Sequence, residues 1–256
     1  MALEDSERLS PQTSIMKITL DVDYQSEYLF WPIYSRDERL LALEMTGCFN
    51  SADCKLTVPG DILTSMLTTA QKLALLDEQI DIIQRKAEWL KLHRFLLVWR
   101  IEKHCAELLM ASIPRRNAIR ALPFVHLEIN EAYPHLGEGK GNRDITELSN
   151  MFPLWLDNFG AGKVNLKAFH DGLLSYVKID PKLVWDILSR PAPNLIMDPL
   201  LNVMKNHQQG LGVIAKGIDT LEHLKKVHHL KVDAIQGKLW PAIPLDALEQ
   251  ELTPAA

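Results

Sequence analysis

From Tyr28 onward, short apolar runs alternate with amphipathic stretches, the pattern of repeated strand and helix units around a mainly parallel sheet. The runs read as eight strands: Tyr28 to Tyr34, Leu40 to Thr46, Phe95 to Ile101, Phe124 to Ile129, Leu154 to Asp157, Leu174 to Ile179, Gly212 to Ala215 and Ala234 to Leu239. Eight strands suit a closed α/β barrel of the TIM-like type. Only Ser35 to Arg39 joins the first two, enough for a hairpin and too short for a parallel crossover. One strand therefore runs against the rest.

Between the runs, Ile62, Leu63, Met66, Leu67, Leu73, Leu76, Ile80 and Ile83 recur at helical spacing within Pro59 to Leu90. Further helices are expected over Lys103 to Ala111, Ile145 to Met151, Leu166 to Leu173, Pro181 to Leu188, Pro199 to Gln208, Thr220 to His228 and Leu245 to Leu252. Asp180-Pro181 and Asp219-Thr220-Leu221-Glu222 carry helix-start chemistry. Met1 to Ile15 is polar and lacks the apolar centre of a secretory signal, so it reads as a flexible extension before a barrel domain over residues 16–256.

With 256 residues, 47% of them hydrophobic, the chain can bury a large core. A net charge of -5 excludes a broad electrostatic footprint on nucleic acid. No stretch reaches the roughly 18 to 20 apolar residues of a membrane span. Cys48, Cys54 and Cys105 are odd in number and lack metal-ligand spacing, which fits free thiols in a reducing cytoplasm.

In a barrel, the carboxyl ends of the strands converge on one face. Glu44, Glu128 and Asp157 each close an apolar run, and Arg100 and Lys216 close two others. Carboxylates at strand ends suit divalent metal, whereas Arg100 and Lys216 bring fixed positive charge to the same place.

Six segments in order resemble the EAL-domain family of bacterial cyclic di-GMP phosphodiesterases. Leu43-Glu44-Met45-Thr46 stands at the EAL position and Leu127-Glu128-Ile129-Asn130-Glu131 at an ELTE-like strand. Leu156-Asp157-Asn158-Phe159-Gly160-Ala161-Gly162 resembles DDFGTG, Val177-Lys178-Ile179-Asp180 resembles LKID, Ala215-Lys216-Gly217-Ile218-Asp219-Thr220 resembles AEGVET, and Asp233-Ala234-Ile235-Gln236-Gly237 resembles DxxQG. The resemblance covers Tyr28 to Leu248. It implies a (β/α) barrel, two metal ions in active members, and vestigial counterparts at Glu44, Glu128, Asp157, Lys178 and Gln236.

The departures from the family pattern cluster at the metal site. Arg100 stands for an asparagine ligand, Asn158 for the second aspartate of DD, Lys216 for the first glutamate of EGVE, and Cys48 for the arginine that holds substrate phosphate. Three acids, Glu44, Glu128 and Asp157, then face three bases, Lys178, Arg100 and Lys216, so the pocket is expected to balance without metal. Cations offer donors where magnesium wants oxygen ligands. The expectation is no catalysis, no cofactor and no metal.

Ile129 to Lys140, Asn158 to Gly162 and Leu239 to Pro244 are similar to degenerate members of the family. This likeness implies a cytoplasmic regulator that binds the FlhD subunit of the flagellar activator FlhDC, keeps it from promoter DNA without touching nucleic acid or membrane itself, and assists delivery to a protease. Two alternatives stay open: a weak phosphodiesterase using one metal held by Glu44, Glu128 and Asp157, and a metal-free cyclic di-GMP sensor with phosphate on Arg100 and Lys216.

His223, His228 and His229, with Lys225, Lys226 and Lys231, read as a solvated basic face lacking supporting acids. His126 and His135 read as packing or hydrogen-bonding residues. Tyr133 to Asn142 holds three glycines but lacks the GK[ST] ending of a phosphate loop, so it reads as turn chemistry.

Overall fold

The expected hairpin forms the seam of a closed barrel. The computed structural model describes residues 17–19, 23–51, 56–162, 167 and 171–252. Strand β1 (Lys17–Thr19) pairs antiparallel with the start of β2 (Asp23–Ser35), and β2 pairs antiparallel with β3 (Leu40–Ser51) from Tyr24 opposite Ser51 to Tyr34 opposite Leu40. This ribbon is longer than the sequence pattern indicated, and β4 (Thr57–Pro59) edges its far end.

Strands β5 (Leu96–Arg100), β6 (Val125–Asn130), β7 (Leu154–Phe159), β8 (Tyr176–Ile179), β9 (Gly212–Lys216) and β10 (Ala234–Gln236) follow β3 in parallel order. Antiparallel pairing of β10 with β2 closes the ring at eight staves. Only β2 is reversed among them, as the short Ser35 to Arg39 connection required. A last strand, β11 (Ile243–Pro244), pairs with β2 at Leu29 and Phe30.

The last stave stops at Gln236, short of the expected Leu239, because the chain turns at Gly237 against the backbone of Ile218. A Cβ at Gly237 would lie 2.2 Å from the Ile218 carbonyl oxygen, and Leu239 donates its N–H to that oxygen at 3.2 Å.

Inside the barrel, Ile33, Ala42, Val98, Trp155, Ile214 and Ala234 form a small apolar layer. Trp155 is its largest member; it donates to Nδ1 of His126 at 2.7 Å and stacks on Tyr176 with ring centroids 4.2 Å apart. His126 is therefore the hydrogen-bonding residue expected, and burial pushes its imidazole down to about 4. A larger core fills the space between strands and helices.

The helical stretch over Pro59 to Leu90 is two helices, α1 (Gly60–Met66) and α2 (Thr69–His93). Thr68 breaks it: its hydroxyl accepts the Gln71 N–H at 3.3 Å, and Gln71 Oε1 accepts the Thr68 N–H at 2.9 Å. Helix α3 (Lys103–Ala111) falls where expected, and α4 (Ile113–Arg120), which the sequence reading passed over, starts with Pro114 in its first turn.

Asn142 caps α5 (Arg143–Met151), and Asp180 caps α6 (Pro181–Ser189). Helix α7 (Asn194–His207) begins five residues before Pro199, where its start was expected. The Pro193 carbonyl accepts the Met197 N–H at 3.0 Å and sets the true start, while Pro199 forfeits one ladder bond in the second turn. Thr220 caps α8 (Leu221–Val227), and α9 (Leu248–Leu252) is shorter than expected. No described helix is long and apolar enough to cross a membrane. The expected extension Met1 to Ile15, Cys54 and half of the helix expected over Leu166 to Leu173 lie outside the described residues, and Asp171 and Gly172 at its expected end stand in a turn.

Candidate functional site

Parallel register brings the charged strand ends together above the Trp155 layer. Glu44 on β3, Glu128 on β6, Asp157 on β7, Lys178 on β8 and Gln236 on β10 are all buried, although each is polar. Such groups persist inside a protein only when paired.

Lys178 takes the centre. Its Nζ lies 2.7 Å from Glu44 Oε2 and 2.6 Å from Glu128 Oε2, with no exposure, and 5.7 Å above the Trp155 ring centroid. Gln236 Nε2 donates to the same Glu44 oxygen at 2.7 Å. The contacts with Glu44 and Glu128 are both within hydrogen-bonding distance, so one ammonium bridges the two carboxyl groups.

Lys216 and Arg100 hold the third acid. Lys216 Nζ sits 2.5 Å from Asp157 Oδ1 and 3.0 Å from Asn158 Oδ1, and Arg100 Nη1 is 3.9 Å from Asp157 Oδ2. Asn158 is in the left-handed region at φ 57°, a conformation asparagine tolerates better than most residues. Beside Lys216, Gly217 has φ +82°, and a Cβ there would meet Trp185 Nε1 at 2.7 Å and Pro181 Cβ at 2.9 Å.

Burial alone would raise both glutamates. At Glu44 the charges of Lys178 and Lys216, with hydrogen bonds from Lys178 and Gln236, overcome burial and bring the carboxyl down to about 2. At Glu128 burial wins over Lys178, and Glu44 and Asp157 add to it, so the carboxyl is pushed up to about 8. Lys178 is raised: burial opposes its charge, but Glu128, Glu44 and Asp157 outweigh burial. Of the two buried glutamates, Glu128 is therefore the one whose charge the barrel interior opposes, and Glu44 the one whose charge it supports. Arg100 stands at the rim, its side chain a third exposed.

The donor set does not fit a pair of divalent ions. Both oxygens of Asp157 face cations, and Glu44 Oε2 takes an ammonium and an amide. Among the described residues, no group of three or more His, Cys, Asp or Glu side chains is arranged to hold a metal ion. Arg100 and Lys216 at like-charge range would repel a divalent cation by several kcal/mol, on the order of 8 at ~4 Å and an effective dielectric of ~20.

Above these groups lies a cleft of about 310 Å3 lined by Trp31, Thr46, Arg100, Trp185, Lys216 and Lys238 among others. Only Arg100 and Lys216 of these were singled out in the sequence. Trp31 faces Glu44 across the ribbon and donates to Thr46 Oγ1 at 3.1 Å, and Trp185 donates to the Gly217 carbonyl at 2.7 Å. Neither has a sequence signal beyond its position beside a motif.

Cys48 points toward Glu27, with Sγ 3.8 Å from Oε2, and burial with the Glu27 charge pushes its thiol up to about 11. It is no substitute for a phosphate-binding arginine. Of the histidines expected to lack acids, His228 Nε2 lies 3.1 Å from Glu38 Oε1, while His223 stacks on Trp185 and contacts the Gly217 carbonyl at 3.1 Å. Lys226 and Lys231 pair with Glu222 and Asp198 at 2.8 and 2.7 Å. The basic face is therefore laced with acids.

The family model of the EAL domain matches residues 23–242. YdiV of Escherichia coli K12 is 31% identical over 235 residues, covering 91% of this chain and 98% of that protein. The anti-FlhC(2)FlhD(4) factor YdiV of Salmonella typhimurium LT2 is 28% identical over the same shares. The crystal structure of the EAL-like domain protein YdiV superposes with a TM-score of 0.82 at 30% identity, covering 90% of this chain and 97% of that one.

Proposed function

The chain belongs to the EAL-domain family, and from that premise we propose that it is a non-hydrolysing regulator of flagellar genes. It binds the FlhD subunit of the flagellar activator FlhC(2)FlhD(4), covers the surface the activator needs for promoter DNA, and so represses flagellar expression. The observation that carries the loss of hydrolysis is the seating of Lys178 and Lys216 on the three acids. The names of the relatives support the choice of partner. Glu44, Glu128, Asp157, Lys178 and Gln236 are scaffold in this reading, with Cys48, Arg100, Asn158 and Lys216 as the substitutions that retired the site.

Contact between folded surfaces of standard size, about 800 Å2 on each partner, is sufficient for such occlusion. The test is a mobility-shift titration of FlhC(2)FlhD(4) on flagellar promoter DNA. Added protein is expected to form a complex with the activator and abolish the shifted band; an undiminished band at large excess overturns the assignment.

A metal-free nucleotide sensor is the second reading, favoured by Arg100 and Lys216 on the wall of the 310 Å3 cleft. Calorimetric titration with cyclic di-GMP separates it from the first, and turnover assays with Mg2+ or Mn2+ separate both from a residual enzyme.

A further inference from the structure

At the mouth of the filled site, accessible cations stand beside apolar rings. The two acids that line the 310 Å3 cleft are engaged: Glu44 is buried under Lys178 and Gln236, and Asp219 Oδ1 accepts the Lys238 N–H at 2.8 Å. The cations reach solvent. Arg100 and Lys216 are partly exposed, and Lys238 is exposed, with no described carboxylate paired to its ammonium.

Next to these cations lies an apolar edge. Trp185 on α6 is 39% exposed yet fixed in place: its Nε1 donates to the Gly217 carbonyl at 2.7 Å and its ring stacks on His223, centroids 6.4 Å apart. Leu221, 64% exposed, opens α8 two residues after Asp219, and α8 packs against α6. Glu222, the next acid along α8, pairs with Lys226 at 2.8 Å. The apolar edge runs beyond the cleft wall, so it is wider than a small ligand held in 310 Å3 would cover. Tryptophan and arginine together, with charge at the rim, are the composition of a protein-binding patch.

We propose that this mouth is the docking surface for the regulator's protein partner, receiving an acidic segment that sets an aspartate or glutamate against Lys238 and Arg100 and lays an apolar side chain on Trp185 and Leu221. The inference rests on the reading of the chain as a partner-binding regulator. Charge decides the kind of segment, because an acid is drawn to these cations and a lysine or arginine is repelled. Trp185 is already held by Gly217, so docking orders little of this chain.

Calorimetry with purified FlhC(2)FlhD(4) as the probe tests it, each variant being checked by thermal melting. Lys238→Glu and, separately, Leu221→Glu are each expected to weaken binding about tenfold or more. Both side chains are exposed, and an acid in the first turn of α8 suits the helix, so neither change is expected to unfold the protein. Raising the ionic strength from about 0.1 to 1 M is expected to weaken wild type more than Lys238→Glu, because screening removes a contact the variant has already lost. Leu92→Asp, at a side chain 76% exposed near the end of α2, leaves affinity unchanged. If wild type binds and both Lys238→Glu and Leu221→Glu bind as tightly, the surface is overturned and the regulator reading stands, whether the mouth then takes a nucleotide or a second copy of the chain. Weakening by Leu221→Glu alone overturns the choice of an acidic segment. If one variant fails to fold, the other decides alone. Absence of wild-type binding overturns the regulator reading and this surface with it.

Discussion

Lys216 Nζ rests 2.5 Å from Asp157 Oδ1, so an ammonium on β9 neutralises a carboxylate on β7 across the intervening stave. Asp157 is nearly inaccessible, while Lys216 reaches it from the rim with 18% exposure. Lys216→Met leaves that charge to Arg100 at 3.9 Å, and the expected loss is about 3 kcal/mol, at the low end of the range for breaking a buried pair because Lys216 is partly wet and Arg100 remains. Urea unfolding of the variant checks it.

Returning the donor set to oxygen reverses the preference for metal. Arg100→Asn combined with Lys216→Glu replaces two cations by an amide and a carboxylate, and its melting temperature is expected to rise with Mn2+ or Mg2+. Wild type is expected to show no such rise. A metal-dependent shift in wild type would contradict the self-neutralised pocket.

The central lysine is a stability element on the same grounds. Lys178→Met removes the ammonium that offsets the burial of Glu44, leaving the carboxyl with Gln236 as its hydrogen-bond donor, and a loss of about 3–5 kcal/mol is expected. Adding Glu44→Gln removes that carboxyl while keeping a polar group beside Gln236, and recovery of much of that loss, seen as a higher melting temperature, is the outcome to look for.

Stability should depend on pH with opposite signs at the two glutamates. Glu44 is held down to about 2 from an ordinary 4.5, so its contribution is complete above about 4.5 and is lost as pH falls through about 2. Glu128 is pushed up to about 8, so the folded state keeps a proton the unfolded chain has released. Stability then declines as pH rises from about 4.5 to about 8. Glu128→Gln is expected to flatten the decline, measured by urea midpoints between those limits.

At the α1–α2 break, Thr68→Ala removes the hydroxyl that caps Gln71 and is expected to cost about 1 kcal/mol, read from denaturant unfolding.

The barrel was legible because its signals are local. Each stave is an apolar run, and the Ser35 to Arg39 connection alone dictated the reversed strand. The departures Arg100 and Lys216 were legible as charge at a strand end, and their side chains do reach Asp157. What escaped the sequence depended on partners distant along the chain. The raised carboxyl of Glu128 follows from burial beside Glu44 and Asp157, and the link from Glu131 to Ala161 spans two loops. Thr68-Thr69-Ala70-Gln71 did carry a capping signal, but the apolar period running through it masked the break. The early start of α7 was hidden by Pro199, a residue that reads as a beginning and lies in the second turn.

The reversed stave has a consequence for how the chain can be assembled. β2 is paired along one side by β3 and along the other by β1, β11 and β10, the last two contributed some two hundred residues later. A nascent chain on the ribosome can zip the ribbon early, yet it cannot seal the ring until Ala234 to Pro244 have left the exit tunnel. Truncation before Ala234 would leave one flank of β2 largely open to pairing with another molecule, making premature termination a route to aggregation rather than to a smaller working protein.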